Sequence, residues 1–586
     1  LAASLGVVVG ACAVVGLLSR SWPEPAPGDR GDGSPWSLLV GLVLALVVTL
    51  LVVVPETVRP TAFPQSPDTV YHLGTIKWMV EGHLISSLDA GGFASPTGGG
   101  FYPAAFHGVA ATVAIVTGAT PVVAASCVAL VLAGVVWPLG LLVLARRIFG
   151  SGWTTTICAA LASVAFAAFP FWLMGYGVLW PNLYGQALLP AALALLLAVV
   201  DGPVRVRSLL VGLAALPGLA IAHPNAFISF VLIGAVVVVA ALLRRGWSLR
   251  STRRRDGTGS VLAAVLVVGG LAAVWVPATV LSVGMRDSNP PGPEMTNSEG
   301  AVDALFLAPR ELLPLWAAGI VVLAGLVVLM VRRRHLWVVV AHLGVTALYL
   351  AISLLDNGFT RLFTWPWYNN SPRLGALMVL TAALLATAAL TSAAAWLDTR
   401  LRARERARPG SSRVAPSLAA TAVVAVAFAA ATAGVDIGAS RHSLRAYFSA
   451  PPEESWASEA DLVALKTLGA QVPQGAVVAA NPWQGGSYLY LTSDRRLLFP
   501  TEKAWAPGDR ELLGADLDRA AKDPAICAAA KRQKVEYVLT GGSSMTDSRA
   551  QERRYAGVDH VGNAHAGFSL VDRAGDYALY RLDACG

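Results

Sequence analysis

An aspartate and a histidine at positions 68 and 72 have the side chains and the spacing best suited to general-base catalysis or metal binding. Ser66 can cap a helix and Pro67 suits its first position, so Asp68 falls in the first turn. Gly82 is a suitable stop, which predicts a helix of roughly four turns. Asp68 and His72 then share a face. The helix dipole keeps this carboxylate ionised, as a general base or metal ligand must be. Alternatively, Asp68 only stabilises its own helix.

The composition indicates a membrane protein. Of the 586 residues, 55% are hydrophobic and 14% are charged, and the mean hydropathy is +0.59. This pattern over such a length predicts repeated membrane spans. The net charge of +8 comes mainly from arginine clusters beside apolar segments, which are typical of cytoplasmic loops and argue against nucleic-acid binding. Abundant Ala, Val, Leu and Arg with little Lys suggests a high-GC bacterium.

Twelve apolar runs have about the length that a bilayer requires. They cover residues 1–18, 36–54, 121–145, 153–173, 184–200, 208–222, 226–243, 260–284, 312–331, 336–355, 373–397 and 416–435. Residues 1–18 resemble a signal peptide but lack a basic n-region, so we interpret them as a span. Arginine clusters at 146–147, 205–207, 244–255, 332–334 and 400–413 predict cytoplasmic loops. This orientation holds if 104–118 is an interfacial or re-entrant helix.

The orientation places most of the polar chemistry on the outer side of the membrane. The external segments are predicted at 55–120, 174–183, 223–225, 285–311, 356–372 and after about 436. They contain a set of candidate polar residues: Asp68, His72, His107, Trp180, Asn182, His223, Asn225, Asp356, Arg361 and Arg373. The cytoplasmic side carries mainly arginine-rich loops, so the sequence predicts an extracytoplasmic active side.

Residues 436–586 are predicted to form an extracytoplasmic α/β domain. We expect a helix at 456–468, strands at 477–480, 488–491, 496–499 and 537–540, helical structure at 509–534, and a closing hairpin at 568–582. Gly541-Gly542-Ser543 lacks both the Walker lysine and GxGxxG spacing, so no nucleotide site is predicted. Cys527 and Cys585 are candidates for a disulfide in this domain, although the sequence does not decide whether it forms.

The segment from Pro67-Asp68-Thr69-Val70-Tyr71-His72 to Phe101-Tyr102-Pro103-Ala104-Ala105-Phe106-His107 resembles the GT-C membrane glycosyltransferases, in particular actinobacterial members that build cell-envelope glycans. The resemblance extends to the architecture of most of the chain. It implies a mainly α fold: residues 1–435 form a polytopic helical bundle of about twelve spans with a long first external loop at 55–120, and 436–586 form the outer α/β domain.

The resemblance also implies a chemistry. The donor would be a polyprenyl-phosphate sugar, such as arabinose or mannose, and the acceptor an envelope glycan or glycolipid in the plasma membrane. Asp68, with His72 as the second catalytic residue, would deprotonate the acceptor hydroxyl, and transfer would proceed with inversion. Arg373 and Arg361 would bind the donor phosphate. The residues implied in sugar binding are His107, Trp180, Asn182, His223, Asn225, Trp367 and Tyr368. The superfamily has metal-dependent and metal-independent branches, so a divalent cation is left open.

Structural roles compete with several of these assignments. Arg373 could anchor a helix at the lipid head groups, and Trp367 and Tyr368 could belong to an aromatic belt. His107 could cap or pack its helix. Asp89 is the reserve candidate for the general base. His223 is harder to explain by a turn alone, because it interrupts two apolar spans at the outer face.

Three other functions compete with the glycosyltransferase hypothesis. A transporter or flippase of lipid-linked intermediates would be expected to carry ionisable residues in mid-membrane, and the spans carry almost none. A polysaccharide polymerase or ligase would be expected to show a large late external loop, and 356–372 is short. A non-catalytic envelope scaffold that binds glycan through its C-terminal domain would make the polar groups around Asp68 incidental.

Overall fold

A computed structural model describes residues 34–57, 61–66, 68–95, 98–201, 206–251, 256–282, 292–310, 312–405, 416–449, 455–544, 549–564 and 566–586. The predicted span 1–18 and Pro67 lie outside these ranges. The chain divides into two compact units. The first, called the membrane unit here, comprises the described part of residues 1–57, 129–174 and 179–445. The second, called the outer unit after the location that the sequence predicts for it, comprises the described part of residues 58–128, 175–178 and 446–586.

Long apolar helices dominate the chain, as the sequence predicts. In the described ranges, seven helices are long and apolar enough to cross a membrane: Pro35–Val53, Pro121–Phe149, Trp180–Val200, Pro224–Gly246, Gly259–Val280, Leu336–Leu355 and Ser371–Ala403. Two bent pairs, Trp153–Ser163 with Ala167–Val178 and Leu418–Thr432 with Val435–Phe448, raise the number to nine if each is one span. The predicted runs at 208–222 and 312–331 form the shorter helices Val206–Ala222 and Trp316–Arg332. The chain is therefore a multi-pass membrane protein.

The helix Ser371–Glu405 forms the centre of the membrane unit. Its most apolar window is 94% buried, whereas the corresponding window of Gly259–Val280 is 6% buried and exposes Val, Leu and Ala side chains. Gly325 lies against the backbone of Leu385, leaving no room for a Cβ atom. Small residues allow such close approach in membrane bundles, where packing rather than the hydrophobic effect holds helices together. The central helix therefore fixes the position of the residues at its start, including Arg373.

The outer unit contains a five-stranded mixed sheet. Its strands are β1 (Val477–Ala480), β2 (Arg496–Leu497), β3 (Val535–Gly541), β4 (Phe568–Ala574) and β5 (Tyr577–Leu582), in the order β2-β1-β3-β5-β4. β1 pairs in parallel with β2 and β3, and the β4–β5 hairpin adds to β3 in antiparallel fashion. The helices Glu459–Ala470, Asp509–Asp516 and Pro524–Gln533 surround the sheet. The α/β composition expected for this region is confirmed.

One predicted strand of the outer unit is wrong. Residues 488–491 belong to a helix, Tyr488–Ser493, which begins where Tyr488 and Leu489 donate backbone hydrogen bonds to the carbonyls of Gly485 and Gly486. Tyr488, Leu489 and Tyr490 are all buried, so the run of bulky side chains reflects a helix covered on several sides rather than a strand. The disulfide between Cys527 and Cys585 is present and ties the helix Pro524–Gln533 to the end of the chain.

The first loop packs against the C-terminal region to form the outer unit. Its helices are Asp68–Gly82, as predicted, and Ala105–Thr117. Val70 joins a hydrophobic cluster with Leu465 and Val478, and Tyr71 packs in another cluster with Tyr490. Residues 69–76 of the Asp68–Gly82 helix are all buried, so its first two turns are covered on every side, which fixes the place of its first residue.

Polar contacts reinforce this packing. Lys77 forms ion pairs with Asp494 and with Glu81, the latter at 3.2 Å. The Tyr490 hydroxyl donates to Glu81 Oε2 at 2.7 Å. Gln65 exchanges two hydrogen bonds with the backbone of Ala457, at 3.3 and 3.2 Å. The loop and the C-terminal region are therefore joined by both apolar and charged contacts.

Candidate active site

Asp68 lies at the beginning of its helix, within electrostatic range of Glu502 in the C-terminal region, and Lys503 lies over the ring of Tyr71. The negative charges of Asp68 and Glu502 both act on Tyr71, whose pKa is raised mainly by burial. The Lys503 ammonium lies 4.7 Å from the centre of the Tyr71 ring. The pKa of Glu502 is raised by burial first, with a smaller contribution from the charge of Asp68. These four residues form a group that we call the Asp68 cluster.

Sequence reasoning did not find Glu502 and Lys503. They occur in a short 3-10 helix, Glu502–Ala504. The sequence predictions for this region concern only its strands and helices. No local motif distinguishes them, because their proximity to Asp68 depends on how the first loop docks. Two carboxylates whose charges interact, one of them with a raised pKa, form an arrangement that is common in acid–base sites.

The predicted helix cap at Ser66 is wrong in its detail. The Thr69 backbone N–H donates to the backbone carbonyl of Ser66 at 3.1 Å, and the Ser66 hydroxyl has no hydrogen-bond partner among the described residues. The Thr69 hydroxyl donates to the Pro64 carbonyl at 2.7 Å. The beginning of this helix is therefore held by backbone groups and Thr69, because Ser66 is buried in a packed interior.

His72 and His107 form a buried pair. His72 Nδ1 and His107 Nε2 are 2.8 Å apart, and the two side chains are 4% and 0% exposed. Tyr71, Tyr102 and Phe106 surround them at edge-to-face or tilted angles. Burial lowers the pKa of His107 to about 3, so this imidazole is neutral at physiological pH. One ring must donate and the other accept, which fixes complementary tautomers.

A second polar group occurs in the membrane unit around His223, which lies between the helices Val206–Ala222 and Pro224–Ser251. The Asn225 backbone N–H donates to His223 Nδ1 at 3.2 Å. Arg373 Nη1 lies 3.4 Å from His223 Nε2, and its guanidinium carbon is 4.8 Å from the centre of the Tyr368 ring. Burial and the charge of Arg373 hold the pKa of His223 well below its usual value, so the ring is neutral. We call these four residues the His223 cluster.

The tautomer of His223 follows from these contacts. Because Nδ1 accepts the Asn225 N–H, the single proton of the neutral ring is on Nε2. That proton points toward Arg373 Nη1, which also carries hydrogens. Two donors therefore face each other at 3.4 Å. An anionic oxygen placed beside both groups would accept from each of them.

Asn182 is a further unusual group in the membrane unit. It is 1% exposed, and neither its amide nitrogen nor its amide oxygen has a hydrogen-bond partner among the described residues. It lies one helical turn before Gln186, whose amide donates to the Arg373 carbonyl oxygen at 3.2 Å. An unsatisfied buried amide costs free energy, so this position suits a polar ligand or a water molecule.

Other candidates from the sequence have structural partners. Arg361 forms a buried bidentate ion pair with Asp356, at 2.7 and 2.8 Å, so its charge is already balanced. Trp180 is 1% exposed and its indole N–H donates to the Met174 carbonyl oxygen at 3.0 Å. Trp367 is 0% exposed and its indole N–H donates to Ser229 Oγ at 3.1 Å. All three side chains therefore have structural partners within the protein.

The predicted residues thus fall into two groups, one in each unit. Asp68, His72 and His107 lie in the outer unit, and His223, Asn225, Tyr368 and Arg373 come together in the membrane unit. Among the residues that the structure describes, no group of three or more His, Cys, Asp and Glu side chains converges as metal ligands. Asp89 precedes a short 3-10 helix, Ala90–Phe93, in the outer unit.

The fold is that of a GT-C membrane glycosyltransferase. The archaeal oligosaccharyltransferase AglB from Archaeoglobus fulgidus, solved with an inhibitory peptide and a dolichol-phosphate, matches with a TM-score of 0.56 and 13% identity over 92% of this chain and 72% of that one. Its apo form matches with a TM-score of 0.53 at 13% identity, over 92% and 73% of the two chains. The arabinofuranosyltransferase AftD from Mycobacteria has a TM-score of 0.49 and 16% identity, over 94% and 40%.

The sequence assigns the chain to a family. It belongs to DUF6541, a family of unknown function, whose family model matches residues 1–584. No curated protein matches the sequence at a significant level.

Proposed function

We propose that this protein is a glycosyltransferase that moves a sugar from a polyprenyl-phosphate donor to a cell-envelope glycan or glycolipid at the outer face of the plasma membrane. The observation that carries the proposal is the His223 cluster. The N–H of a neutral histidine and a guanidinium face one another in a membrane protein with a GT-C fold. A phosphate oxygen would accept from both, and charge-assisted bonds of this kind are strong. The same donors would stabilise the negative charge on the departing lipid phosphate.

The Asp68 cluster supports the acceptor half of the reaction. In the proposed mechanism, the Asp68 carboxylate takes the proton of the acceptor hydroxyl as its oxygen attacks the anomeric carbon and the bond to the lipid phosphate breaks. The electron pair of the broken bond leaves with the phosphate, so a single displacement inverts the anomeric configuration. Glu502, whose pKa is raised by burial, would retain a proton more readily than an exposed carboxyl and would donate a hydrogen bond to the acceptor. His72 and His107 would hold the helix that carries Asp68.

The sugar is proposed to be a pentose such as arabinose, or mannose, in line with the envelope-glycan glycosyltransferases that the first loop resembles. The AglB structure was solved with a dolichol-phosphate, which is a lipid phosphate of the same chemical class as the proposed donor. Tyr368, which stacks on Arg373, and Asn182 would contact the donor sugar beside the phosphate.

A transfer assay tests this proposal. Full-length protein in nanodiscs would be given radiolabelled polyprenyl-phosphate arabinose or mannose with envelope glycan, in parallel with magnesium, with manganese and with EDTA. We expect transfer by the wild type and a loss of roughly a hundredfold or more in Asp68→Asn, because the variant keeps the size of the side chain but not its basicity. Asp576→Asn, at the exposed β4–β5 turn, is the matched control and should keep full activity.

Two results would contradict the proposal. Unchanged transfer by Asp68→Asn would show that Asp68 is not the general base, and Asp89 would become the candidate for that role. Absence of transfer by the wild type with either donor, while the protein remains folded by circular dichroism, would favour a transport or scaffold function.

A further inference from the structure

A cavity of about 550 Å³ lies in the outer unit, and none of Asp68, His72 and His107 lines it. We call it the Arg510 cleft. The residues important to its chemistry are Trp78, Glu81, Tyr490, Arg496, Arg510 and Gln533. They come from the first loop and from three separate segments of the C-terminal region, so no local sequence motif indicates the site. The volume is in the range of sites that bind small ligands.

The charges in the Arg510 cleft are unbalanced in favour of cations. Arg510 Nη1 donates to the Ala504 carbonyl oxygen at 2.8 Å, and within the described ranges neither Arg510 nor Arg496 forms an ion pair with a carboxylate. Glu81, the one acid in the lining, is already occupied by Lys77 and by the Tyr490 hydroxyl. The cleft therefore presents two guanidinium groups to a ligand.

The position of Arg510 makes an anionic ligand favourable. Burial alone lowers the pKa of its guanidinium, which shows that water is partly removed from the charge without a carboxylate to replace it. Such partial desolvation costs free energy that an anion would recover. A guanidinium also offers two parallel N–H donors, a geometry that matches the oxygens of a carboxylate or a phosphate.

The rest of the lining suits a sugar ring. Trp78 packs on one side against the aromatic cluster that contains Phe93 and Tyr490, and it also lines the cleft. Aromatic side chains present flat apolar faces, against which the C–H face of a sugar can pack. Gln533 lines the cleft with an amide group, which can donate to and accept from hydroxyl groups. Together, a flat aromatic side chain, an amide and two guanidinium groups complement an acidic saccharide better than they complement an anion without a ring.

We propose that the Arg510 cleft binds an acidic saccharide, with its anionic group on Arg510 and Arg496 and its ring against Trp78. The further statement that this saccharide is part of the glycan acceptor rests on the glycosyltransferase function proposed above. Binding itself does not depend on that function. The ligand class is a sugar chain that carries carboxylate or phosphate groups.

Binding to full-length protein in nanodiscs tests the proposal. The probes are tetragalacturonate, the neutral maltotetraose, glucose 6-phosphate and inorganic phosphate, measured by isothermal titration calorimetry. We expect tetragalacturonate or glucose 6-phosphate to bind at least about tenfold more tightly than maltotetraose and inorganic phosphate, because only they combine the ring and the charge. The two acidic probes distinguish a carboxylate-bearing glycan from a phosphate-bearing one.

Variants link the binding to the cleft. Arg510→Gln should weaken binding of the preferred acidic probe at least about tenfold, and Arg510→Lys by less, because lysine keeps the charge but loses the fork. Trp78→Phe should weaken binding of the saccharide probes and leave binding of inorganic phosphate unchanged. Arg519→Gln is the matched control, because Arg519 is an exposed arginine of the same unit, paired with Asp516, that does not line the cleft.

Three outcomes would overturn the proposal. The first is binding of maltotetraose as tight as binding of the acidic probes. The second is unchanged binding of the acidic probe by an Arg510→Gln variant that melts like the wild type. The third is binding of inorganic phosphate as tight as that of the acidic saccharides, with no effect of Trp78→Phe on saccharide binding. The last would make the cleft an anion site rather than a saccharide site. Because no transfer is measured, failure here leaves the proposed function standing. Conversely, inactivity in the transfer assay with intact binding would leave the cleft as a glycan-binding site.

Discussion

Replacing Arg373 tests the most specific claim about the His223 cluster. Arg373→Gln removes the cation but keeps hydrogen-bonding capacity, and Arg373→Lys keeps the charge but not the planar fork. A hydrogen bond to a charged group contributes about 1.5–3 kcal/mol. Loss of one such bond should therefore weaken binding of a lipid phosphate by roughly 10- to 150-fold in Arg373→Gln. We expect Arg373→Lys to lie between this variant and the wild type.

His223 supplies a second perturbation of the same ligand. His223→Phe removes the Nε2–H donor and keeps a flat ring, so its effect should be smaller, on the order of tenfold, because a neutral donor is lost. If both side chains hold one oxygen, the double variant should show a coupling free energy of about 0.5–3 kcal/mol rather than simple additivity. Independent roles would give additive losses.

The assay is binding of undecaprenyl phosphate to full-length protein in nanodiscs, followed by intrinsic tryptophan fluorescence. Arg400→Gln is the matched control, because Arg400 lies on the same helix, is exposed, and stacks on Trp396. Undecaprenol, which lacks the phosphate, should bind the wild type and Arg373→Gln equally weakly. The reasoning is refuted if Arg373→Gln binds undecaprenyl phosphate as the wild type does while the lipid still binds specifically.

Three further predictions concern the two units. Burial lowers the pKa of His107 to about 3, against 6.5 in an unfolded chain. Between these pH values the unfolded chain binds one more proton than the folded one, so stability falls as the pH falls, by up to about 1.4 kcal/mol per pH unit. Thermal melts from pH 7.5 to 4 should show this loss of stability, and the His107→Gln variant should show a weaker dependence on pH. A Cys527→Ser variant should lose about 2–5 kcal/mol in outer-unit stability, seen as earlier proteolysis on heating, whereas the free Cys127→Ser should not. Gly325→Leu should disrupt packing against the central helix and lower the melting temperature of the protein in detergent, whereas Gly344→Leu, at a helical glycine with open space around it, should be tolerated.

The parts that local physics controls could be predicted from the sequence. The apolar runs predicted the positions of the long helices, because length and hydrophobicity suffice for a span. The helix Asp68–Gly82 followed from its end signals, even though the Ser66 hydroxyl does not cap it. The strand at 488–491 was wrong because a short run of bulky residues has no decisive period, and burial on several sides made it a helix.

The sequence by itself determined that this is a multi-pass membrane protein with a polar Asp68 segment and a C-terminal α/β region, since these properties depend on composition and on nearby residues. Only the tertiary structure decided which polar groups meet. Docking of the first loop brings Asp68 within electrostatic range of Glu502 and Tyr71 under Lys503. Packing of the helices in the membrane unit turns Arg373 toward His223, while Arg361 pairs with Asp356. These contacts join residues far apart in the chain, and their partners are chosen by the packing of whole helices, which no local pattern encodes.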